Sequence, residues 1–143
     1  MPKKKVNKRI SREELFMGIA TLASQRATCI RLKVGCVLVD DKNRIAAIGY
    51  NSSASKTQHC DDVGCLMHDN HCIRCAHGEV AAVSNLQRKY DSLTCYITHP
   101  PCINCYKLLI TFNVKKIFYL NKYIKDEARD KLMMEVQVPM IQI

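Results

Sequence analysis

A chain of 143 residues, 48% of them apolar, can bury one real core but is too short for two ordinary domains. Its formal charge is +9, but six of the 22 basic groups (Lys3, Lys4, Lys5, Lys8, Arg9 and Arg12) precede the first acid, Glu13, and the other 16 face 13 acids. The body is therefore nearly balanced, which argues against a polynucleotide-binding face and leaves 1–11 as a solvated basic arm. No apolar run is long enough to span a bilayer, and none follows the lysine cluster. A spanning helix and a secretory signal are not expected, and the cytoplasm is the expected compartment.

A single domain is expected over 12–143. Ser11 and Glu14 form the pattern of a capping box, and Leu15, Ile19 and Leu22 recur at helical spacing, which predicts a helix over 12–26. The β-branched apolar run 34–39, the turn residues Asp40-Asp41-Lys42-Asn43 and the segment 45–50 predict an antiparallel hairpin. Residues 51–76 are polar, rich in cysteine and histidine, and without sustained periodicity. So long an irregular stretch needs a pin, and a bound metal would be one. A helix over 77–86 follows from Val80, Val83 and Leu86, then a strand over 93–98. Pro101 suits the first turn of a helix reaching 112, because that position needs no backbone donor. A strand over 116–120, a helix over 125–134 and a last strand within 136–143 complete the chain. This order predicts helices on both faces of a mixed sheet.

The nine cysteines are odd in number and lie beside histidines at short spacings, a pattern that favours metal ligation over disulfides under reducing conditions. Cys102-Ile103-Asn104-Cys105 puts two thiols one turn apart at a helix start, where the helix dipole favours the thiolates that zinc requires. His77 opens the preceding helix. One histidine and two cysteines are three protein ligands, leaving the fourth position for water, as in catalytic zinc sites. Glu79 stands two residues beyond His77, able to reach that water without binding the metal. The alternative is a four-ligand structural knot. Cys36 and Cys95 fall on apolar strand patterns and are expected in the core. His99, just before the Pro-Cys motif, is placed to line a base pocket.

His-x-Glu followed by Pro-Cys-x-x-Cys is the signature of zinc nucleobase deaminases. With Val34-Gly35-Cys36, Gly49-Tyr50-Asn51 and the insert running from His59-Cys60 through Cys65 to His71-Cys72, the chain resembles the deoxycytidylate (dCMP) deaminase family, nearest its bacterial competence-operon type. The resemblance covers 15–119. It implies a cytidine-deaminase-like three-layer α/β/α sandwich around a five-stranded mixed sheet. It also implies zinc-dependent hydrolysis of dCMP to dUMP and ammonia in the supply of dTMP precursor, with dCTP as a further substrate. By this resemblance Glu79 moves protons, Asn51 contacts the sugar, and Arg31 and Lys33 are candidates for the 5′-phosphate. Tyr50 and Arg88 are candidates for dCTP or dTTP effectors. A second, structural zinc maps to Cys29, Cys60 and His71 with Cys65 or Cys72 as the fourth ligand, and the implied assembly is a homohexamer. His68 and Cys75 interrupt the family pattern and are left out. Gly78, Ala81 and Ser52 replace the family's usual alanine, asparagine and glycine. Two rival readings share the core motif or the charge: a tRNA adenosine deaminase, and a zinc-stabilised nucleic-acid module without catalysis.

Overall fold

The computed structural model describes residues 8–143, so most of the basic arm lies outside the described residues. The first helix, α1 (Arg12–Ser24), opens with both halves of the capping box: Glu14 N donates to Ser11 Oγ and Ser11 N donates to Glu14 Oε2, each at 3.1 Å. Strand β1 (Gly35–Asp40) is buried at every position and pairs antiparallel with β2 (Ile45–Tyr50). Asp40 closes this hairpin by accepting from Lys42 N and Arg44 N, both at 2.9 Å, while Asn43 takes the left-handed conformation with φ 59°.

The irregular stretch contains only short pieces: β3 (Ser52–Ser53), the single turn α2 (Cys60–Val63), β4 (Met67–His68), β5 (His71–Cys72) and β6 (Cys75–Ala76). β3 pairs with β6 and β4 with β5, each over two residues. Then come α3 (Gly78–Ser84), β7 (Leu93–Ile97), α4 (Ile103–Thr111), β8 (Val114–Tyr119), α5 (Glu127–Val136) and β9 (Met140–Gln142). The main sheet has the order β2-β1-β7-β8-β9, with β7, β8 and β9 parallel and the rest antiparallel, so the five-stranded mixed sheet is present.

Alternation along β1 builds the two layers. Val37 and Val39 pack with Phe16, Met17 and Ala20 of α1, while Cys36 and Leu38 join Cys95, Ala82, Tyr106 and Leu109 beneath α3 and α4. Cys36 and Cys95 are core thiols, 3.6 Å apart. A Cβ on Gly49 would lie 2.2 Å from Ala82 N and 2.5 Å from Gly78 O. Only glycine there lets α3 sit this low on β2. Among the described residues no helix is long and apolar enough to cross a membrane.

Two of the differences from the expected boundaries bear on the site and on the last strand. Pro101 does not enter the first turn of α4: Cys102 is the N-cap, with extended φ −68° and ψ 170°, and its sulfur accepts from Cys105 N. The last helix runs on to Val136 and stops at Gln137 in the left-handed conformation, which leaves β9 only three residues.

Asp126 caps two helices. Its Oδ1 accepts from Arg129 N at 3.0 Å in α5, and its Oδ2 from Ile103 N at 2.9 Å at the head of α4. The Arg129 and Ile103 N–H groups hold its pKa below 3.8, burial opposing them. A carboxyl depressed by folding contributes stability above its unfolded pKa and loses it as pH falls through the folded value. Asp126→Ala should therefore destabilise by about 1–2 kcal/mol at neutral pH. In urea titrations over a pH series, the gap from the native chain should narrow steadily below about pH 4. A gap constant down to the acid limit would show that the charge on Asp126 contributes nothing.

Candidate active site

The ligand residues occupy two helix starts. His77 is the N-cap of α3, with Glu79 in the first turn; Cys102 is the N-cap of α4, with Cys105 in the first turn. The two helix starts meet at one place, where Cys105 N donates to Cys102 Sγ at 3.5 Å, and such ends favour negative charge. His77 Nδ1 lies 3.2 Å from Cys105 Sγ and 3.8 Å from Cys102 Sγ, and the three ligand atoms all fall within 4.8 Å of one another. Zinc with bonds of about 2.0 Å to nitrogen and 2.3 Å to sulfur in a tetrahedron sets ligand separations of about 3.5–3.8 Å. The donor set therefore fits zinc in element, number and spacing.

The sulfurs share a proton unequally. Cys102 is drawn down to about 4 by hydrogen bonds from Cys105 and then His77. The same contact with Cys102, helped by burial, pushes Cys105 up. Metal binding to such a cluster would displace its remaining protons. Glu79 is buried, and desolvation raises its carboxyl above the ordinary glutamate value although His77 opposes this. A carboxyl raised in this way beside a metal site is suited to passing protons.

His77, Glu79 and Cys102 line a cavity of about 550 Å³ together with Asn51 and His99. Asn51 is held by its own backbone neighbours: Oδ1 accepts from Val34 N at 2.7 Å and Nδ2 donates to Leu32 O at 2.6 Å. His99 Nδ1 is 3.0 Å from Thr98 Oγ1, and burial lowers its pKa, which favours a neutral ring facing the cavity. Arg31 lines the cavity and donates from Nη1 to Asn70 O at 3.2 Å. Lys33 is exposed and stands apart from the cavity, as do half-buried Tyr50 and exposed Arg88. The Arg88 guanidinium lies 3.9 Å from the centre of the Tyr90 ring.

A second thiol group occupies the insert. Cys60, Cys65 and Cys72 have their sulfurs within 4.8 Å of one another, and Cys75 lies 3.7 Å from Cys60. Cys29 and His71 stand outside this group, although both line the catalytic cavity. His71 is exposed and precedes Cys72 on β5, where neighbouring side chains point to opposite faces. Cys75 is the residue that sequence reasoning missed, and the spacing Cys72-x-x-Cys75 was the available signal. Burial opposes a charge on Cys72, yet the N–H groups of Cys75 and Arg74 bring it to about 6, as a thiolate ligand requires.

Fold and site together define a zinc-binding deaminase. Residues 10–121 match the family model described as the cytidine and deoxycytidylate deaminase zinc-binding region, and the chain belongs to that family. It is 38% identical over 138 residues to ComE operon protein 2 of Bacillus subtilis (strain 168), covering 94% of this chain and 72% of that one. It is 31% identical over 119 residues to the deoxycytidylate deaminase of Mycobacterium phage D29, covering 75% and 92% respectively. Among solved structures it matches the dCMP deaminase from the cyanophage S-TIM5 in complex with dCMP and dUMP at a TM-score of 0.79 and 26% identity, covering 95% of this chain and 99% of that one.

Because Glu79 borders the ligands without being one, Glu79→Ala should keep the zinc at His77, Cys102 and Cys105 and lose turnover by about 10²–10⁴-fold or more. Metal analysis beside single-turnover assays checks this. Loss of the zinc, or near-native activity, would contradict the role.

Proposed function

We propose that this chain hydrolyses dCMP to dUMP and ammonia, supplying the precursor of dTMP. The observation that carries this reading is the buried Glu79 in one cavity with His77 and Cys102, which with Cys105 form the candidate donor group. Zinc held by those three residues would bring the pKa of a bound water from 15.7 toward about 7. Glu79 takes a proton from the attacking water and delivers it to N3 of the cytosine, then takes the second proton of that oxygen, now on C4, and gives it to the departing amine. The oxygen ends on C4 and the nitrogen leaves as ammonia, so one water is consumed in each turnover. Neutral His99 lines the base side. Asn51 keeps one Nδ2 N–H for the sugar after its bond to Leu32 O.

Arg31 is the better candidate for the 5′-phosphate, since it lines the cavity and Lys33 does not. The deoxynucleotide reading draws support from the relative named deoxycytidylate deaminase and from the related structure holding dCMP and dUMP. dCTP as a second substrate belongs to the same proposal. A purely structural zinc has no use for a buried acid beside it, which disfavours the nucleic-acid module, and no observation favours adenosine in tRNA.

Several finer points belong to the same proposal. A second zinc sits in the insert on Cys60, Cys65, Cys72 and Cys75, a ligand set that replaces the expected Cys29 and His71. Control by dCTP or dTTP through Tyr50 and Arg88 and a homohexameric assembly follow the family resemblance. All nine cysteines are free, which suits the reducing cytoplasm.

The deciding assay measures ammonia release from dCMP, dCTP, cytidine and an adenosine-containing tRNA side by side. dCMP should give the highest kcat/KM; preference for cytidine or tRNA would overturn the substrate assigned. Metal analysis should find about two zinc ions per chain, and Cys75→Ser should lose one while keeping the catalytic one. One zinc in the native chain, or two in the variant, would mean that the insert thiols pack without metal.

A further inference from the structure

Arg129 lies on α5, outside every motif discussed above, and is only 1% exposed. A buried guanidinium is costly unless its donors are satisfied. Here they are spent on particular partners. Nη1 donates to Pro101 O at 2.8 Å, Nη2 to Ile124 O at 2.9 Å, and Nε to Asp130 Oδ1 at 3.2 Å. The ring of Tyr123 covers the guanidinium, its centre 4.8 Å away.

The two carbonyls matter because of what adjoins them. Pro101 immediately precedes the ligand Cys102. Ile103, on the other side of Cys102, donates its N–H to Asp126, which also accepts from Arg129 N. Cys102 is thus bracketed by two hydrogen bonds from the first turn of one helix. Ile124, at the other arm of the fork, lines the catalytic cavity. A single planar cation therefore ties the backbone of a metal ligand to the cavity wall.

We infer that Arg129 is a positioning residue: it fixes Cys102 for zinc and, through the same fork, sets Ile124 against the substrate. Lysine in its place keeps the charge but not the fork, and cannot span both carbonyls. Groups that orient metal ligands typically contribute about 10–100-fold to metal affinity or activity when removed. The inference rests on zinc binding at His77, Cys102 and Cys105.

The test compares the zinc-loaded native protein with Arg129→Lys, Arg129→Met and a control, Leu132→Ala, which removes a core contact from the same helix. Alkylation of Cys102 and Cys105 is followed peptide by peptide in the presence of a chelator, alongside Tm and the kinetics of dCMP deamination. In Arg129→Lys both cysteines should be alkylated about 10–100-fold faster, kcat should fall and KM for dCMP should rise, while Leu132→Ala lowers Tm without these changes. Arg129→Met should exceed Arg129→Lys where it folds, and Arg129→Lys decides alone where it does not. Native alkylation rates in folded Arg129→Lys, or equal acceleration in Leu132→Ala, would overturn the inference. If zinc does not slow alkylation of the native protein at all, the zinc reading itself fails and this inference with it.

Discussion

Two thiols and an imidazole must meet within 4.8 Å although 25 residues separate the histidine from the first cysteine, and the rest of the structure answers to that demand. Charged sulfur in a partly buried place is unfavourable unless donors surround it. Two helix N-termini supply them, one following the insert and one following β7. Bringing both helix starts to the same point requires α3 to rest directly on β2, which the missing Cβ of Gly49 allows. It also requires the Pro-Cys turn to be held from behind, which the first turn of α5 does. Glu79 follows from this geometry, since the first turn after His77 carries it into the same cavity.

The insert belongs to the same construction. Two-residue strand pairs cannot sustain themselves, and a single turn of helix has no stability of its own. The thiols from Cys60 to Cys75 lie among these pieces, and Cys72 and Cys75 also line the cavity. Whatever occupies the thiol group therefore shapes the space in which a nucleotide would lie. Arg31 reinforces the link by donating to Asn70 O, both residues lining the cavity.

Much of this was legible in the sequence, for physical reasons that also explain the gaps. The capping box, the hairpin and the motif-bearing helix starts are local patterns, and each formed close to its expected place. The catalytic donors were legible because their spacing within each motif is itself local. Cys75 was not, because it departs from the family pattern and its convergence on Cys60 depends on how an irregular segment folds back. Lys33 looked equivalent to Arg31 in sequence, yet only Arg31 lines the cavity. Asp126 and Arg129 carried no motif; a charged pair near a helix start usually reads as solvated surface, and only the approach of α5 to Pro101 reveals otherwise.

The departure at Gly78 can be argued the same way. A Cβ there would stand 3.3 Å from Val34 O and 3.4 Å from Asn51 N, so an alanine would force those neighbours to give by a few tenths of an ångström. Val34 and Asn51 are tied to each other through the Asn51 amide and by backbone hydrogen bonding, so neither yields alone. His77 and Glu79 flank the glycine on either side, and a shift of the helix start would move both together. The flexibility that glycine adds to a helix terminus is a small cost there, because the terminus is already held by packing. Ala81, the other departure in this helix, does not line the cavity. In this chain the glycine lets the start of α3 lie against the ends of β1 and β2, and the catalytic geometry depends on that contact.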